Sequence, residues 1–338
     1  MVWMIYATKC APKGPGCRAS IRVAIVLLAA VACSGSSGPP RLVLLEEAHR
    51  TLDAGSRVRG AVLEADSFIV WTSGHVLAGA FDAGRIDTIC RDTSLRPISV
   101  ARSSRTEIQI VEPHSIVHAR PGRCQRTQLR LAAVDSVAEA VLNGERWIGL
   151  VRSLLPPSRA TVVPDSVEPP YIPRYRWSIV ALLPDSGGVS PERDIVVPDG
   201  PLDESLHLTS ADGYAIISRS RWPYNWARVT GGHGYPIVLS DSQGTGYSAR
   251  LMSDQLRWLG LPVFALDSGY IRIHADMKGP TREFLLIPAP PRAQHRVIEV
   301  PVPFGILSVD RGARRLLALR RTSGPELVRY SWAWHDRD

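Results

Sequence analysis

Residues 98–131 read ISVARSSRTEIQIVEPHSIVHARPGRCQRTQLRL. Four short runs in this stretch favour strands: 98–102, 107–112, 116–119 and 125–131. The second run alternates strictly at first, with Glu107, Gln109 and Val111 interleaved with Ile108, Ile110 and Glu112, and Pro113 stops it. A period of two over so short a run is a strand signature, because successive side chains leave a strand on opposite sides. Polar or Gly/Pro-containing steps separate the runs, so the chain must reverse at each one. The expectation is one four-stranded antiparallel sheet.

The same unit recurs along the chain. Further apolar first strands are expected at 58–64, 137–142, 207–209, 262–266 and 305–309, with the one quoted above placed at 97–101. Five of the six run into turn residues: Ala65-Asp66-Ser67, Asn143-Gly144, Ala211-Asp212-Gly213, Asp267-Ser268-Gly269 and Asp310-Arg311-Gly312. Asx-Gly pairs supply the positive φ that tight hairpins need. Second strands follow at 68–72, 215–218, 269–273 and 314–319. No amphipathic helix exceeds three turns, the best short candidate being 253–259. Four antiparallel strands per roughly 40 residues describe a propeller blade.

This pattern predicts an all-β chain, a six-bladed β-propeller over residues 42–338 with two loop insertions: the Pro-rich segment 155–173 and a stretch around 240–260. The last unit supplies three strands, and 42–46 would add the fourth, so that an N-terminal strand closes the ring and covers its edges. Over nearly the whole exported chain this resembles the six-bladed propellers of the NHL-repeat kind and the six-bladed lipoproteins of bacteria, at the level of pattern. Seven blades result if 175–184 begins a blade of its own, and a pair of two-sheet sandwiches is the plainer alternative.

Composition agrees with a globular chain. Of 338 residues 45% are hydrophobic and 21% charged, and 27 Gly with 27 Pro fall short of collagen or low-complexity bias. The first 32 residues contain no Asp or Glu, carry Lys9, Lys13, Arg18 and Arg22, and end in an apolar run over 23–31. That run suits a signal peptide and is too short to span a bilayer. It leads into Ala29-Ala30-Val31-Ala32-Cys33 and the tether Ser34-Gly35-Ser36-Ser37-Gly38-Pro39-Pro40. Small residues before a cysteine resemble the lipobox of bacterial lipoproteins, although Ala30 stands where that family favours Leu. The resemblance implies a signal peptide over 1–32, lipidation of Cys33, a tether over 33–41, and attachment to a membrane of the bacterial envelope. Ordinary secretion with cleavage near Ala32 is the alternative.

Beyond the signal, Lys278 is the only lysine and no dense basic run occurs, which argues against nucleic acid as a partner despite the net charge of +8. Cys90 and Cys124 remain as an even pair in an exported chain and read as a disulfide. Under the blade register each falls near the outer strand of one of the first two blades, so the bond would staple them together.

Strand parity then groups the loops. Loops between second and third strands share a face with the blade-to-blade connections. They gather His75, His114, Arg152, Tyr175, Arg219, Arg221, Trp222, Tyr224, Trp226, His274, Arg320 and Arg321. Trp222, Tyr224 and Trp226 alternate and would point the same way in an extended chain. Aromatic faces stack on sugars, and guanidinium groups pair with carboxylates. The expected function is a binding or interaction module for an anionic or glycosidic ligand or an envelope protein, using His75, His114, Arg219, Arg221, Trp222, Tyr224, Trp226, His274 and Arg320.

Catalytic motifs are sparse. Pro184-Asp185-Ser186-Gly187-Gly188 reads as a turn, and Gly244-Thr245-Gly246-Tyr247-Ser248-Ala249 as a loop. There is no Gly-x-Ser-x-Gly, phosphate-binding loop or His-Glu-x-x-His. Lactonase-type propellers hold a metal with Glu, Asn and Asp, but the chain has only Asn143 and Asn225. Quinone-dependent sugar dehydrogenases would need His75 or His114 with Arg221, and no family motif surrounds these. No catalytic residue, metal or cofactor is therefore expected. A channel-centred enzyme and a structural scaffold stay open as alternatives.

Overall fold

A computed structural model describes residues 41–335 apart from 54–56, 121, 156–174, 197–205, 221–225, 231, 240–257, 277–281, 289–295, 299–303 and 322–323. The chain forms two compact units, residues 1–43 with 333–338 and Leu44–Trp332, and the second carries the sheets. Of the first, residues 41–43 and 333–335 are strand ends.

The fold is all-β, a β-propeller. Strand β1 (Arg41–Thr51) is followed by a first blade of β2 (Gly60–Glu64), β3 (Ser67–Thr72), β4 (His75–Ala80) and β5 (Ile86–Arg91). The second blade is β6 (Ser99–Arg102), β7 (Ile108–Val111), β8 (Ser115–Arg120) and β9 (Arg123–Gln128), close to the four runs read from residues 98–131. The third is β10 (Asp135–Asn143), β11 (Arg146–Leu154), β12 (Tyr175–Leu183) and β13 (Gly188–Val196). A three-stranded sheet follows, of β14 (Leu206–Ala211), β15 (Tyr214–Arg219) and β16 (Trp226–Val229). The short β17 (Ile237–Val238) then returns to lie parallel to β13 as a fifth strand of the third sheet. Next come β18 (Trp258–Leu266), β19 (Gly269–Asp276), β20 (Arg282–Pro288) and β21 (Arg296–Ile298). The last sheet is β22 (Phe304–Asp310), β23 (Arg315–Arg321) and β24 (Pro325–His335), with β1 beside β24. Five sheets thus have the four strands of a blade, and the β14–β16 sheet has three among the described residues.

Residues 175–184 do not begin a separate blade, since β12 pairs with β11 from Trp147↔Leu182 to Leu154↔Tyr175. Of the helix candidate at 253–259, Trp258 and Leu259 open β18, and 253–257 lie outside the described residues. The hairpin turns fall where the Asx-Gly pairs stand, with φ of 64° at Gly144 and 76° at Gly213. The last turn is shifted by one residue, to 311–314. Its left-handed residue is Arg314 rather than Gly312, and Asp310 Oδ1 accepts the Ala313 amide at 3.0 Å.

Each blade is buried on both broad faces, which explains why the second strands are so apolar. Ile108 and Ile110 pack with Ile69, Trp71 and Val76 of the first blade, whereas Val111 packs with Trp147, Val151 and Val180 of the third. Gln109, which the alternation placed on a polar side, is 8% exposed. Its Oε1 accepts the Trp147 indole N–H at 2.6 Å, so the buried amide oxygen is satisfied. Similar apolar clusters lie between the third sheet and β14–β16, between β14–β16 and β18–β19, and between β3 and the β23–β24 pair through Phe68, Val70, Leu317 and Leu327. The first strands neighbour one another in the order β2, β6, β10, β14, β18, β22, and β22 in turn lies against β2. Hydrogen bonds stitch several of these neighbours: Leu63 N–H to Ser308 Oγ at 3.0 Å, Ser210 Oγ to the Leu142 carbonyl at 3.0 Å, and Thr209 Oγ1 to the Val263 carbonyl at 2.6 Å.

Cys90 on β5 and Cys124 on β9 form a disulfide, with their Cα atoms 6.2 Å apart. It joins the outer strands of the first two blades, as the register expected.

Candidate functional site

The first strands are irregular, and the irregularity shapes the site. Register shifts occur between Val137 and Glu139 on β10, between Gly260 and Val263 on β18, and between Ile306 and Ser308 on β22. A β-bulge leaves a residue out of the ladder and re-aims its side chain. The residues so released are Ala138, Pro262 with Leu261, and Leu307. Pro262 and Leu307 line a cavity of about 320 Å³ to which the first strands of all six sheets contribute residues, and Ala138 lines a neighbouring mouth of about 560 Å³.

The cavity lining is mainly apolar. Val100, Val141, Leu142, Leu208, Phe264 and Ile306 are among its residues. Three of its four hydroxyl residues, Thr209, Ser210 and Ser308, already bond backbone groups of the adjacent sheet. The mouth is different in kind. It is lined by Arg57, Val58, Arg59, Trp71, Pro97, Ile98, Ala138 and Arg321. Arg57, Arg59 and Arg321 are exposed, and none has an ion-pair partner among the described residues. Trp71 and Arg59 line mouth and cavity alike, so they stand between the two. The indole is held by packing. A Cβ on Gly60 would fall 2.3 Å from Trp71 Cζ2, so only a glycine lets the ring lie over β2. Neither lining contains Asp, Glu, His or Asn. Among the described residues no group of His, Cys, Asp and Glu is arranged to hold a metal ion.

The residues selected from sequence divide sharply. Arg320 is not available to a ligand, because its guanidinium donates to Glu326 Oε2 at 2.8 Å and to Glu46 Oε2 at 2.6 Å and Oε1 at 3.2 Å. The hydrogen bonds to Glu46 and Glu326 push its pKa up, and Arg320 in turn draws that of Glu46 down. It ties β23 to β24 and β1. Its neighbour Arg321 is the one that reaches the mouth. Arg219 is 1% exposed and belongs to the interior, where its carbonyl accepts a hydrogen bond from the Arg272 guanidinium. Trp226 is also interior, 6% exposed, with its ring centroid 4.5 Å from that of Tyr270. It opens β16 and turns into the packed interface with β18–β19.

Arg221, Trp222 and Tyr224 lie outside the described residues, as does Cys33. His274 falls on β19 opposite Gly260 and Glu283, and its side chain lies outside the described residues. His75 begins β4 opposite Thr72, and His114 is exposed in the turn before β8; neither lines the mouth or the cavity. Arg57 and Arg59 were missed because they precede β2 in a blade-to-blade connection. Strand parity assigns such connections to the same face, so Arg57-x-Arg59 was a readable signal.

A second charged cluster serves the fold. Glu107 accepts from His118 Nδ1 at 2.9 Å and from Arg120 Nε at 2.8 Å and Nη2 at 2.5 Å, and His118 Nε2 lies 3.3 Å from the Pro184 carbonyl of the next blade. The His118 and Arg120 hydrogen bonds draw the Glu107 pKa down to about 2. The Pro184–Gly188 segment is the turn expected from sequence. At Gly187, with φ of 66°, a Cβ would fall 2.0 Å from the Gln128 carbonyl, and Arg130 N–H donates to the Gly187 carbonyl at 2.8 Å. This turn clips the third blade to the second.

No family model matches the chain, and no curated protein does. Solved structures resemble it in fold. A member of the DUF4221 family from Bacteroides vulgatus is 10% identical, with 89% of this chain and 100% of that one covered at a TM-score of 0.50. A luciferin-regenerating enzyme is 8% identical over 86% of this chain and 95% of that one, at 0.48. YCF48 from Cyanidioschyzon merolae is 11% identical over 83% and 84%, at 0.47. At such identities the likeness concerns the propeller fold alone.

Proposed function

We propose that this chain is an exported, lipid-anchored, six-bladed propeller that acts as a binding module of the bacterial envelope and takes an anionic ligand at its arginine-lined mouth. Six blades are supported by the cyclic order of the first strands and by the apolar cluster joining β3 to β23 and β24. The β14–β16 sheet would be the sixth blade, and β1 beside β24 the closing strand. Export and anchoring are supported by the acid-free basic leader, its short apolar run and the Ala-Val-Ala-Cys junction at Cys33.

The observation that carries the binding reading is the contrast between neighbouring arginines. Arg320 is held by two carboxylates, while Arg321, Arg57 and Arg59 surround a concave mouth without one among the described residues. Guanidinium groups left to solvent around a concavity favour carboxylate or phosphate groups, which they can grip bidentately. Rigid scaffolds that present loop residues commonly use them to bind.

Immobilised residues 33–338 equilibrated with an envelope extract test this reading, with retained small molecules identified by mass spectrometry. Anions are expected on the wild type and are expected to be lost from the Arg57→Ala/Arg59→Ala/Arg321→Ala variant. Retention of nothing, or equal retention by that variant, would overturn the binding reading. The anchor is tested separately. Cys33→Ser is expected to move the protein from the membrane to the soluble fraction, and a variant that stays membrane-bound would sink it.

A further inference from the structure

Resting on that reading of the mouth, we infer that the ligand is an anionic amphiphile, whose charged head sits among Arg57, Arg59 and Arg321 and whose apolar body passes Trp71 into the central cavity. Mouth and cavity share Arg59 and Trp71, so the two regions lie side by side. Their chemistries are opposite. The mouth presents three guanidinium groups, and the cavity presents aliphatic and aromatic walls with three of its four hydroxyls committed to neighbouring backbone.

A hydrophilic anion would gain at the mouth but lose hydration deeper in the cavity, where Ser99 is the one hydroxyl residue whose side chain is not committed to a neighbouring backbone group among the described residues. A neutral apolar molecule would fill the cavity and leave the arginines unused. Only a ligand with both parts matches both regions. Its size follows from the volume of about 320 Å³. An apolar cavity of roughly 150 Å³ takes up benzene, so this one suits a body about twice as large, such as a chain of roughly eight carbons. Ligand pockets of roughly 300–1,000 Å³ lined mainly by apolar side chains, with a few placed polar groups, are the common form of small-molecule sites. Trp71, pinned over Gly60, lines both regions and is the aromatic group nearest their boundary.

The test uses residues 33–338 of the protein with octanoate, octanol and acetate as probes, followed by calorimetry and by Trp fluorescence. Octanoate is expected to bind saturably, octanol about tenfold more weakly, and acetate without saturation, each lost charge-assisted contact being worth roughly a factor of ten. Ser99→Leu adds volume to the cavity wall without removing an arginine and is expected to weaken octanoate about tenfold. Leu307→Phe serves as a second filling variant in case the first does not fold. Arg57→Ala/Arg321→Ala, which removes residues of the mouth alone, is expected to weaken octanoate while leaving octanol unchanged.

If acetate or phosphate binds as tightly as octanoate and both filling variants leave that unchanged, the amphiphile inference fails while the mouth reading stands. If octanoate and octanol bind equally and the arginine substitutions change neither, the mouth reading fails and the cavity alone is the site.

Discussion

Trp147 and Gln109 meet across the interface between the second and third blades, with the indole N–H donated to the amide oxygen at 2.6 Å and both side chains buried. The bond is the polar exception in an apolar layer formed by Val111, Ile116, Val151 and Val180. Removing one partner strands the other. Trp147→Phe is expected to cost about 1–3 kcal/mol in urea denaturation, because the Gln109 carbonyl oxygen is left buried without a donor. Adding Gln109→Met to it should recover part of that loss. If Trp147→Phe is neutral by itself, the hydrogen bond is not what holds the pair.

The disulfide between Cys90 and Cys124 has a sequence separation of 34 residues. In the loop-entropy model that corresponds to roughly 3–4 kcal/mol of stabilisation at room temperature. Unfolding with and without reductant, compared with Cys90→Ser/Cys124→Ser, measures it. The reduced wild type and the double variant should coincide, both below the oxidised protein by about this amount. Loss should be concentrated in the first two blades, seen as faster amide exchange on β5 and β9.

Glu107 sets an acid limit. Its folded pKa of about 2 lies below the ordinary 4.5, chiefly through the His118 hydrogen bond and then that of Arg120. A depressed carboxylate stabilises the fold fully above its unfolded pKa. That contribution fades as the pH falls from about 4.5 toward 2. Glu107→Gln should therefore flatten the fall in stability over that window and change little of the slope above pH 5, which urea midpoints at a series of pH values would reveal. An unchanged acid slope would remove Glu107 from the clip.

Gly60 and Trp71 make a steric prediction. The Cβ of Gly60→Ala would sit 2.3 Å from the Trp71 ring, which is 7% exposed and cannot swing aside freely. Overpacking of this kind costs about 1–3 kcal/mol. The substitution should lower the urea midpoint and shift the Trp emission, and Gly60→Ala/Trp71→Val should regain most of the loss. A stable Gly60→Ala with unaltered emission would mean that the ring is not pinned there.

The sequence carried the architecture a long way because a blade is a local object. Its strands are consecutive, its hairpins are marked by turns such as Asn143-Gly144 and Asp212-Gly213, and its pattern repeats, so residues 98–131 alone disclosed four strands near the positions they occupy. The outer-strand positions of Cys90 and Cys124 followed from the same register. The candidate site was far less legible. Trp226 looked like a companion of Trp222 and Tyr224, yet its ring packs at a tilt against Tyr270 inside an interface between sheets. Arg320 looked equivalent to Arg321, yet Glu46 lies 274 residues away in sequence and claims it.

What the sequence determined by itself was the strand order, the turns and the cysteine pairing, because period, turn chemistry and spacing act within one blade. Only the tertiary structure decided which arginines stay open to solvent and which tryptophans turn inward. It also decided that bulged first strands release Pro262 and Leu307 into a shared apolar cavity and Ala138 into its mouth. Those outcomes depend on partners from distant blades, and the burial and pairing of a side chain are settled only when the sheets meet.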